Sequence, residues 1–219
     1  MLRAARALAG RAGVAPRAAI RLTKRIPVAA GLGGGSADAA ATLLALVDLW
    51  RVAMPEDELF DLAATLGADV PMCLAGQTAQ VSGVGERVAP AVALPAAAIL
   101  LVNPGAPSPT PAVFAAYARG GIAPSLAAPL DTAPADVATL GHSLAARGND
   151  LTDAARAVVP AIADVLGELS GTKGCRVAQM SGSGATCFAL YDDIAIAEAA
   201  RAIIQRDHAS WWTHTGTLI

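Results

Sequence analysis

The chain has 219 residues, of which 54% are hydrophobic and only 16% are charged, so it can bury a sizeable core and is not intrinsically disordered. Its 16 Lys and Arg residues against 18 Asp and Glu residues give a net charge of −2, without the basic footprint of a nucleic-acid or anionic-membrane binder. The apolar stretches at residues 37–50 and 92–102 are too short to span a bilayer. Three cysteines without a C-x-x-C pair indicate a reduced, cytoplasmic compartment. We therefore expect neither a nucleic acid nor a membrane as partner.

The first half of the chain mixes helix and strand patterns. Apolar residues at helical spacing predict three helices, at residues 1–13, 37–50 and 55–67. Residues 18–28 alternate apolar and polar side chains, which predicts a half-buried strand. Ser36 is placed as the N-cap of the second helix, and Gly67 is expected to close the third in a left-handed conformation. A short turn of helix is predicted after Asp69, and Ser82-Gly-Val-Gly85 indicates a hairpin.

The second half begins with a continuous apolar run at residues 97–102, which predicts a buried strand. A rigid proline-rich loop follows at residues 103–111, and we place a domain boundary near it, giving domains 1–95 and 96–219. The remaining pattern predicts helices from residue 112 and over 137–146, 151–169 and 194–205, and strands over 174–180, 185–191 and 211–218.

A glycine-rich loop lies between the predicted strand at 18–28 and the helix at 37–50. Glycines without Cβ atoms let backbone N–H groups converge on an anion, and a helix start adds orphan donors and a positive dipole end. The alternative is a flexible connector with a capping serine. The loop is not a P-loop, because the chain contains no Gly-Lys pair. It also fails the G-x-G-x-x-G pattern of a dinucleotide-binding fold, since Ser36 stands where the last glycine belongs.

Two segments carry a family resemblance. Residues 27–39, Pro-Val-Ala-Ala-Gly-Leu-Gly-Gly-Gly-Ser-Ala-Asp-Ala, resemble the ATP loop of the GHMP small-molecule kinases, and residues 180–187 resemble their C-terminal glycine motif. Four further segments resemble one member of this family in chain order, at residues 66–71, 102–105, 109–114 and 148–151. The resemblance implies an α+β fold of two domains. The first is like domain 2 of ribosomal protein S5 and is incomplete at its start, and the second is ferredoxin-like.

The resemblance also implies a reaction. It is the transfer of the γ-phosphoryl group of ATP, with Mg²⁺, to an alcohol. The residues of these motifs resemble those of the family member whose substrate is a cytidine diphosphate-linked methylerythritol. The resemblance therefore implies this small-molecule substrate and a role in non-mevalonate isoprenoid precursor synthesis. Another alcohol substrate and a non-catalytic nucleotide-binding remnant remain as alternatives, and the chain is expected to be a monomer or a homodimer.

The resemblance assigns site residues by position. The ATP-binding residues are Pro27, Val28, Ala29, Ala30, Gly31, Leu32, Gly33, Gly34, Gly35, Ser36 and Ala37. Ser36 is also a candidate Mg²⁺ ligand. Support for this loop is expected from Ser181, Gly182, Ser183, Gly184 and Thr186, for which a plain hairpin turn is the alternative.

Asp69 matches the position of the family's catalytic base, whereas its residue type alone also suits an N-cap of the following short helix. Phe114 resembles the aromatic residue that stacks on the cytosine ring, with a core phenylalanine as the alternative, and Thr110 is a weaker substrate-binding candidate. Asp38 is expected to complement the dipole of its helix. Lys24 is an available cation that does not match the family's catalytic lysine.

One expectation concerns the amino terminus. Ahead of the matching segments the family carries a catalytic lysine and a Gly-Tyr-His stretch, and neither is found in these 219 residues. We expect the isolated 219-residue chain to be weakly active or inactive.

Overall fold

The computed structural model describes residues 1–121, 123–126 and 128–218, and the chain divides into two compact units. Unit 1 comprises Met1–Val28 and Gly33–Ala91, and unit 2 comprises Ala29–Leu32 and Val92–Ile219. The long segments of the two units therefore separate after Ala91. The predicted domains 1–95 and 96–219 stay a prediction, and no sequence pattern indicated that four residues of the glycine-rich loop belong with the second unit.

Unit 1 is a helical cluster with one hairpin. Its elements are α1 (Leu2–Ala12), α2 (Gly34–Trp50), α3 (Glu56–Leu66), α4 (Val70–Ala75), β1 (Ala79–Ser82) and β2 (Arg87–Pro90). The apolar faces of the four helices form one buried cluster around Leu8 and Leu43. Gly13 ends α1 in the left-handed region, where its N–H donates to the Ala9 carbonyl oxygen. The antiparallel pairing of β1 with β2 confirms the predicted hairpin.

Three predictions for unit 1 are wrong. Residues 18–28 form no strand, because a strand needs a hydrogen-bonded neighbour and no described segment of the chain pairs with them. Leu22 of this segment stays 48% exposed. Gly67 closes α3 with extended backbone at φ 166°, because the chain turns at once into α4, where the Val70 N–H donates to the Gly67 carbonyl oxygen. Ser36 is not an N-cap, because Gly33 at φ 62° begins α2 earlier and leaves Ser36 in the first turn.

Unit 2 is built on an antiparallel sheet of four strands in the order β4-β5-β3-β6. The strands are β3 (Ala97–Asn103), β4 (Val177–Met180), β5 (Cys187–Tyr191) and β6 (Trp212–Leu218). The helices are α5 (Thr110–Arg119), α6 (Val137–Arg147), α7 (Thr152–Val158), α8 (Ala161–Gly171) and α9 (Ile194–Asp207). The apolar β3 is central, with Leu100 facing Ala189 on one side and Thr215 on the other. The mixture of helices and antiparallel sheet confirms the predicted α+β class.

One predicted helix of unit 2 is wrong in its extent. The pattern over residues 151–169 predicts a single helix, but the structure contains two, α7 and α8, which are separated at Val159 and Pro160. Proline lacks the N–H that would continue the hydrogen-bond ladder of the first helix, so it begins the second instead. Among the described residues, no helix combines the length and the apolar character that a membrane crossing requires.

Candidate active site

The predicted site residues fall into two groups, one in each unit. Unit 1 holds Pro27, Val28, Gly33, Gly34, Gly35, Ser36, Ala37 and Asp69. Unit 2 holds Ala29, Ala30, Gly31, Leu32, Thr110, Phe114, Ser181, Gly182, Ser183, Gly184 and Thr186. Each group is described within its own unit.

The start of α2 is the anion-attracting feature of unit 1. Gly33 stands at its N-cap in the left-handed region with no side-chain cap, and the first intrahelical bond runs from the Ala37 N–H to the Gly33 carbonyl oxygen, 2.9 Å. The N–H groups of Gly34, Gly35 and Ser36 precede that bond and have no acceptor within the helix. Three such donors at the positive end of a helix dipole favour a phosphate.

Asp69 lies beside this helix start. One carboxylate oxygen is 3.9 Å from the position that a Cβ on Gly33 would occupy. Asp69 stands at the N-cap position of α4, but its side chain is exposed and makes no capping bond to that helix. Its negative charge, together with the larger effect of burial, raises the pKa of the Cys73 thiol. The carboxylate is therefore free to accept a proton or a ligand.

The hairpin supports the backbone that carries Asp69. Gly85 in the β1–β2 turn has φ +114°, and a Cβ at this position would lie 2.2 Å from the Ala68 carbonyl oxygen. Real Cβ atoms do not approach a backbone oxygen so closely, so only glycine lets the turn pack here. The position of Asp69 thus depends on a contact with the residue immediately before it in the chain.

An ion pair that sequence analysis missed lies at the same helix start. The Lys24 ammonium donates to the Asp38 carboxylate at 2.5 Å, and it is 3.6 Å from where a Cβ on Gly34 would be. Asp38 therefore does more than complement the dipole of α2, since it holds a cation beside the glycine-rich loop. No signal in the sequence indicated this pair, because Lys24 lies in a segment whose predicted strand does not form.

In unit 2, the turn between β4 and β5 holds the short segment of the glycine-rich loop. The Ser181 hydroxyl donates to the Gly31 carbonyl oxygen at 2.8 Å, and the Thr186 N–H donates to the Ala30 carbonyl oxygen at 3.2 Å. Gly31 has φ +73°, and a Cβ there would lie 2.5 Å from the Gly184 carbonyl oxygen. The structure thus brings the two glycine motifs of the sequence into direct contact.

Two asparagines brace this turn, and sequence analysis assigned them no role. Asn149 donates from its side-chain amide to the carbonyl oxygens of Met180 and Gly182, at 3.0 and 2.8 Å. Asn103 is buried and donates to the Thr186 hydroxyl at 2.9 Å. Both asparagines lie in segments that carry the family resemblance, which is the signal that could have identified them.

The predicted substrate-binding residues lie at the start of α5. Phe114 is 52% exposed, so the interpretation of this residue as a core phenylalanine is wrong. An exposed aromatic face is available for stacking. Thr110 is exposed, and its hydroxyl lies 2.8 Å from the Ser183 hydroxyl. The substrate candidates and the loop-support candidates are therefore in contact within unit 2.

Comparisons with known proteins show where this arrangement belongs. The family described as the GHMP kinases N terminal domain matches residues 1–77, and the GHMP kinases C terminal family matches residues 127–209. A 4-diphosphocytidyl-2-C-methyl-D-erythritol kinase from Rhodospirillum rubrum is 50% identical over 219 residues, which cover all of this chain and 71% of the relative. A protein with the same name from Paramagnetospirillum magneticum is also 50% identical over 219 residues, covering 76% of the relative.

A solved structure gives the same result. The crystal structure of a 4-(cytidine 5'-diphospho)-2C-methyl-D-erythritol kinase is 37% identical, with a TM-score of 0.75. The match covers 97% of this chain and 76% of that chain. The predicted resemblance to the GHMP kinases and the predicted two-domain fold are confirmed.

Proposed function

The chain belongs to the 4-diphosphocytidyl-2-C-methyl-D-erythritol kinases, a family of GHMP kinases, and we propose that it transfers the γ-phosphoryl group of ATP to the 2-hydroxyl of 4-diphosphocytidyl-2-C-methyl-D-erythritol. It is an ATP-dependent small-molecule kinase of isoprenoid biosynthesis. The substrate assignment rests on the 50% identity over all 219 residues with the Rhodospirillum rubrum relative named 4-diphosphocytidyl-2-C-methyl-D-erythritol kinase. The three cysteines are free, which supports the predicted reducing, cytoplasmic setting.

The triphosphate binds at the start of α2. The unpaired N–H groups of Gly34, Gly35 and Ser36 donate to phosphate oxygens, and the helix dipole adds attraction for negative charge. Lys24 adds a positive charge beside this helix start, because Asp38 engages only part of its donor capacity. The chain carries a net charge of −2, so this local charge, not a global field, attracts the nucleotide.

Asp69 accepts the proton of the substrate hydroxyl. Phosphoryl transfer depends mainly on alignment and on charge stabilisation, and the hydroxyl proton needs an acceptor as the new P–O bond forms. Asp69 suits this role because its carboxylate is exposed, makes no cap bond and lies beside the phosphate-binding helix start. The β1–β2 hairpin packs against Ala68, the residue just before Asp69.

Mg²⁺ fits the residues of unit 1. No group of three or more His, Cys, Asp or Glu side chains that could hold a metal occurs among the described residues, so a divalent ion would be held largely by phosphate oxygens. Ser36 would add a hydroxyl ligand, since its side chain is half-buried in the first turn of α2. When bound, the ion neutralises charge on the transferring phosphoryl group.

The cytidine is recognised by α5. The exposed ring of Phe114 stacks on the cytosine, an interaction worth about 1–3 kcal/mol. Thr110, at the first turn of the same helix, offers an exposed hydroxyl for the diphosphate or the sugar. Loop support by residues 181–186 follows from their hydrogen bonds to the glycine-rich loop.

The test is ADP release from ATP in the presence of 4-diphosphocytidyl-2-C-methyl-D-erythritol, with homoserine and mevalonate as competing substrates. We would measure the 219-residue chain and a fusion that adds the unmatched residues of the Rhodospirillum rubrum relative. Asp69→Asn should lower turnover by about 10²–10⁴-fold while calorimetry shows unchanged nucleotide binding. Asp61→Asn is the matched control, because Asp61 is also an exposed aspartate of unit 1.

Three results would contradict the proposal. Absence of ADP release in both proteins would remove the kinase assignment for these residues. Faster turnover with homoserine or mevalonate would replace the substrate. Full turnover in Asp69→Asn would show that another group accepts the proton.

A further inference from the structure

We propose that the turn at residues 181–186 couples the two ligand sites, so that the nucleotide and the cytidine substrate each strengthen the binding of the other. Ser183 and Ser181 are the positioning residues of this coupling. The inference rests on the proposed function, since it requires that the glycine-rich loop binds ATP and that α5 binds the substrate.

One side of the turn is hydrogen-bonded to residues 108–110, where the chain enters α5. The Ser183 hydroxyl lies 2.8 Å from the Thr110 hydroxyl, and the Ser183 carbonyl oxygen accepts from the Ser108 hydroxyl at 2.8 Å. Ser183 and Ser108 are both buried, so the bond between them is shielded from competing water, whereas the bond to the exposed Thr110 is partly buried. A movement of the first turn of α5 therefore displaces Ser183 through these hydrogen bonds.

The other side of the turn is hydrogen-bonded to Ala30 and Gly31 of the glycine-rich loop. Ser181 donates to the Gly31 carbonyl oxygen at 2.8 Å, and Gly31 packs so closely that a Cβ would lie 2.7 Å from the Ser181 carbonyl oxygen. Thr186 adds a backbone bond to Ala30. Gly31 and Ala30 thus cannot shift without displacing the turn.

The turn itself is stiff enough to transmit such a shift. The Gly184 N–H donates to the Ser181 carbonyl oxygen, and the Ser181 N–H donates to the Thr186 carbonyl oxygen, each at 2.9 Å. Asn149 holds two further carbonyl oxygens of this segment, and Asn103 holds Thr186 from the end of β3. Because interior contacts are close-packed and cannot deform continuously, ordering one loop favours the ordered state of the other.

The experiment measures coupling directly. Calorimetry gives the Kd of a non-hydrolysable ATP analogue, adenylyl imidodiphosphate with Mg²⁺, in the absence and presence of saturating 4-diphosphocytidyl-2-C-methyl-D-erythritol. We expect about fivefold tighter analogue binding with the second ligand. Ser183→Ala should remove most of that enhancement, so that the Kd of the analogue becomes nearly the same with and without the second ligand.

A second variant removes the bond between Ser183 and Thr110 by changing Thr110, its exposed partner. Thr110→Val removes the hydrogen bond to Ser183 without opening the core, and the double variant should lose no more coupling than Ser183→Ala does. Ser170→Ala is the matched control, because its hydroxyl donates to the Leu166 carbonyl oxygen within α8 of the same unit. A merely structural role for Ser183 would weaken both ligands alike and leave the ratio of the two Kd values unchanged.

The outcomes separate the two proposals. If both ligands bind the wild-type protein independently, the coupling is refuted and the proposed function stands. If the coupling survives unchanged in Ser183→Ala, the turn is not its route. If neither ligand binds the wild-type protein, the proposed function fails, and this inference fails with it.

Discussion

Replacing Gly31 with alanine tests the contact between the two glycine motifs. Gly31 has φ +73°, and the new Cβ would lie 2.5 Å from one backbone oxygen, of Gly184, and 2.7 Å from another, of Ser181. An L-residue in the left-handed region costs about 1–2 kcal/mol, and forcing a methyl group into a packed site costs about 1–3 kcal/mol. Together these predict that Gly31→Ala lowers the free energy of unfolding by about 2–5 kcal/mol.

The assay is thermal unfolding followed by circular dichroism. A loss of this size lowers the midpoint by about 4–20 °C for a chain of this length. Gly35→Ala is the matched control from the same loop, because a Cβ on Gly35 meets nothing within 4 Å and its φ is not positive. In the first turn of α2 that change should stabilise the protein by up to about 1 kcal/mol. A Gly31→Ala protein that unfolds at the wild-type temperature would show that the close approach to residues 181 and 184 does not exist.

Three further predictions concern charge and reactivity. Lys24→Met should weaken binding of the ATP analogue by about tenfold, whereas Arg25→Met, which removes an exposed neighbouring cation, should not; equal effects would refute a specific role for Lys24. Burial raises the pKa of the Cys187 thiol to about 12, so iodoacetamide at pH 8 should label it only after unfolding in urea, and mass spectrometry showing native labelling would contradict this. The Asp136 carboxylate accepts from the Thr139 N–H at 2.7 Å, which lowers its pKa below 3.8. The stability lost in Asp136→Ala should therefore be full above the ordinary aspartate pKa and shrink as pH falls through the lower folded pKa. A difference in thermal stability between the two proteins that does not shrink on acidification would contradict the cap.

Helices were predictable because their signals are local. The spacing of apolar residues and the capping glycine define α1 within its own turns, and Pro55 with the acidic first turn defines α3. The strand predicted at residues 18–28 failed for the opposite reason. Alternation gives a segment a β-compatible face, but a strand forms only when another strand completes its hydrogen bonds, and that partner is not encoded in the segment itself.

The site was predictable to the extent that it consists of short motifs. The glycine-rich loop could be named because its residues are contiguous in the chain, and Asp69 could be named because the segment around it resembles a family motif. Contacts between distant residues were not. No pattern placed Lys24 against Asp38, Asn149 against Gly182 or Ser183 against Thr110, because side chains meet across a fold according to packing.

By itself, therefore, the sequence indicated most of the helical segments and a glycine-rich loop that could surround a phosphate, and the family resemblance added Asp69 as a candidate base. Tertiary structure alone decided that residues 29–32 belong to the second unit, and that the turn at residues 181–186 is hydrogen-bonded to Gly31 on one side and to Thr110 on the other. The physical reason is the distance along the chain over which each interaction acts. Periodicity and capping act within a few residues, whereas the bond between Ser181 and Gly31 joins positions 150 residues apart and exists only after the chain has folded.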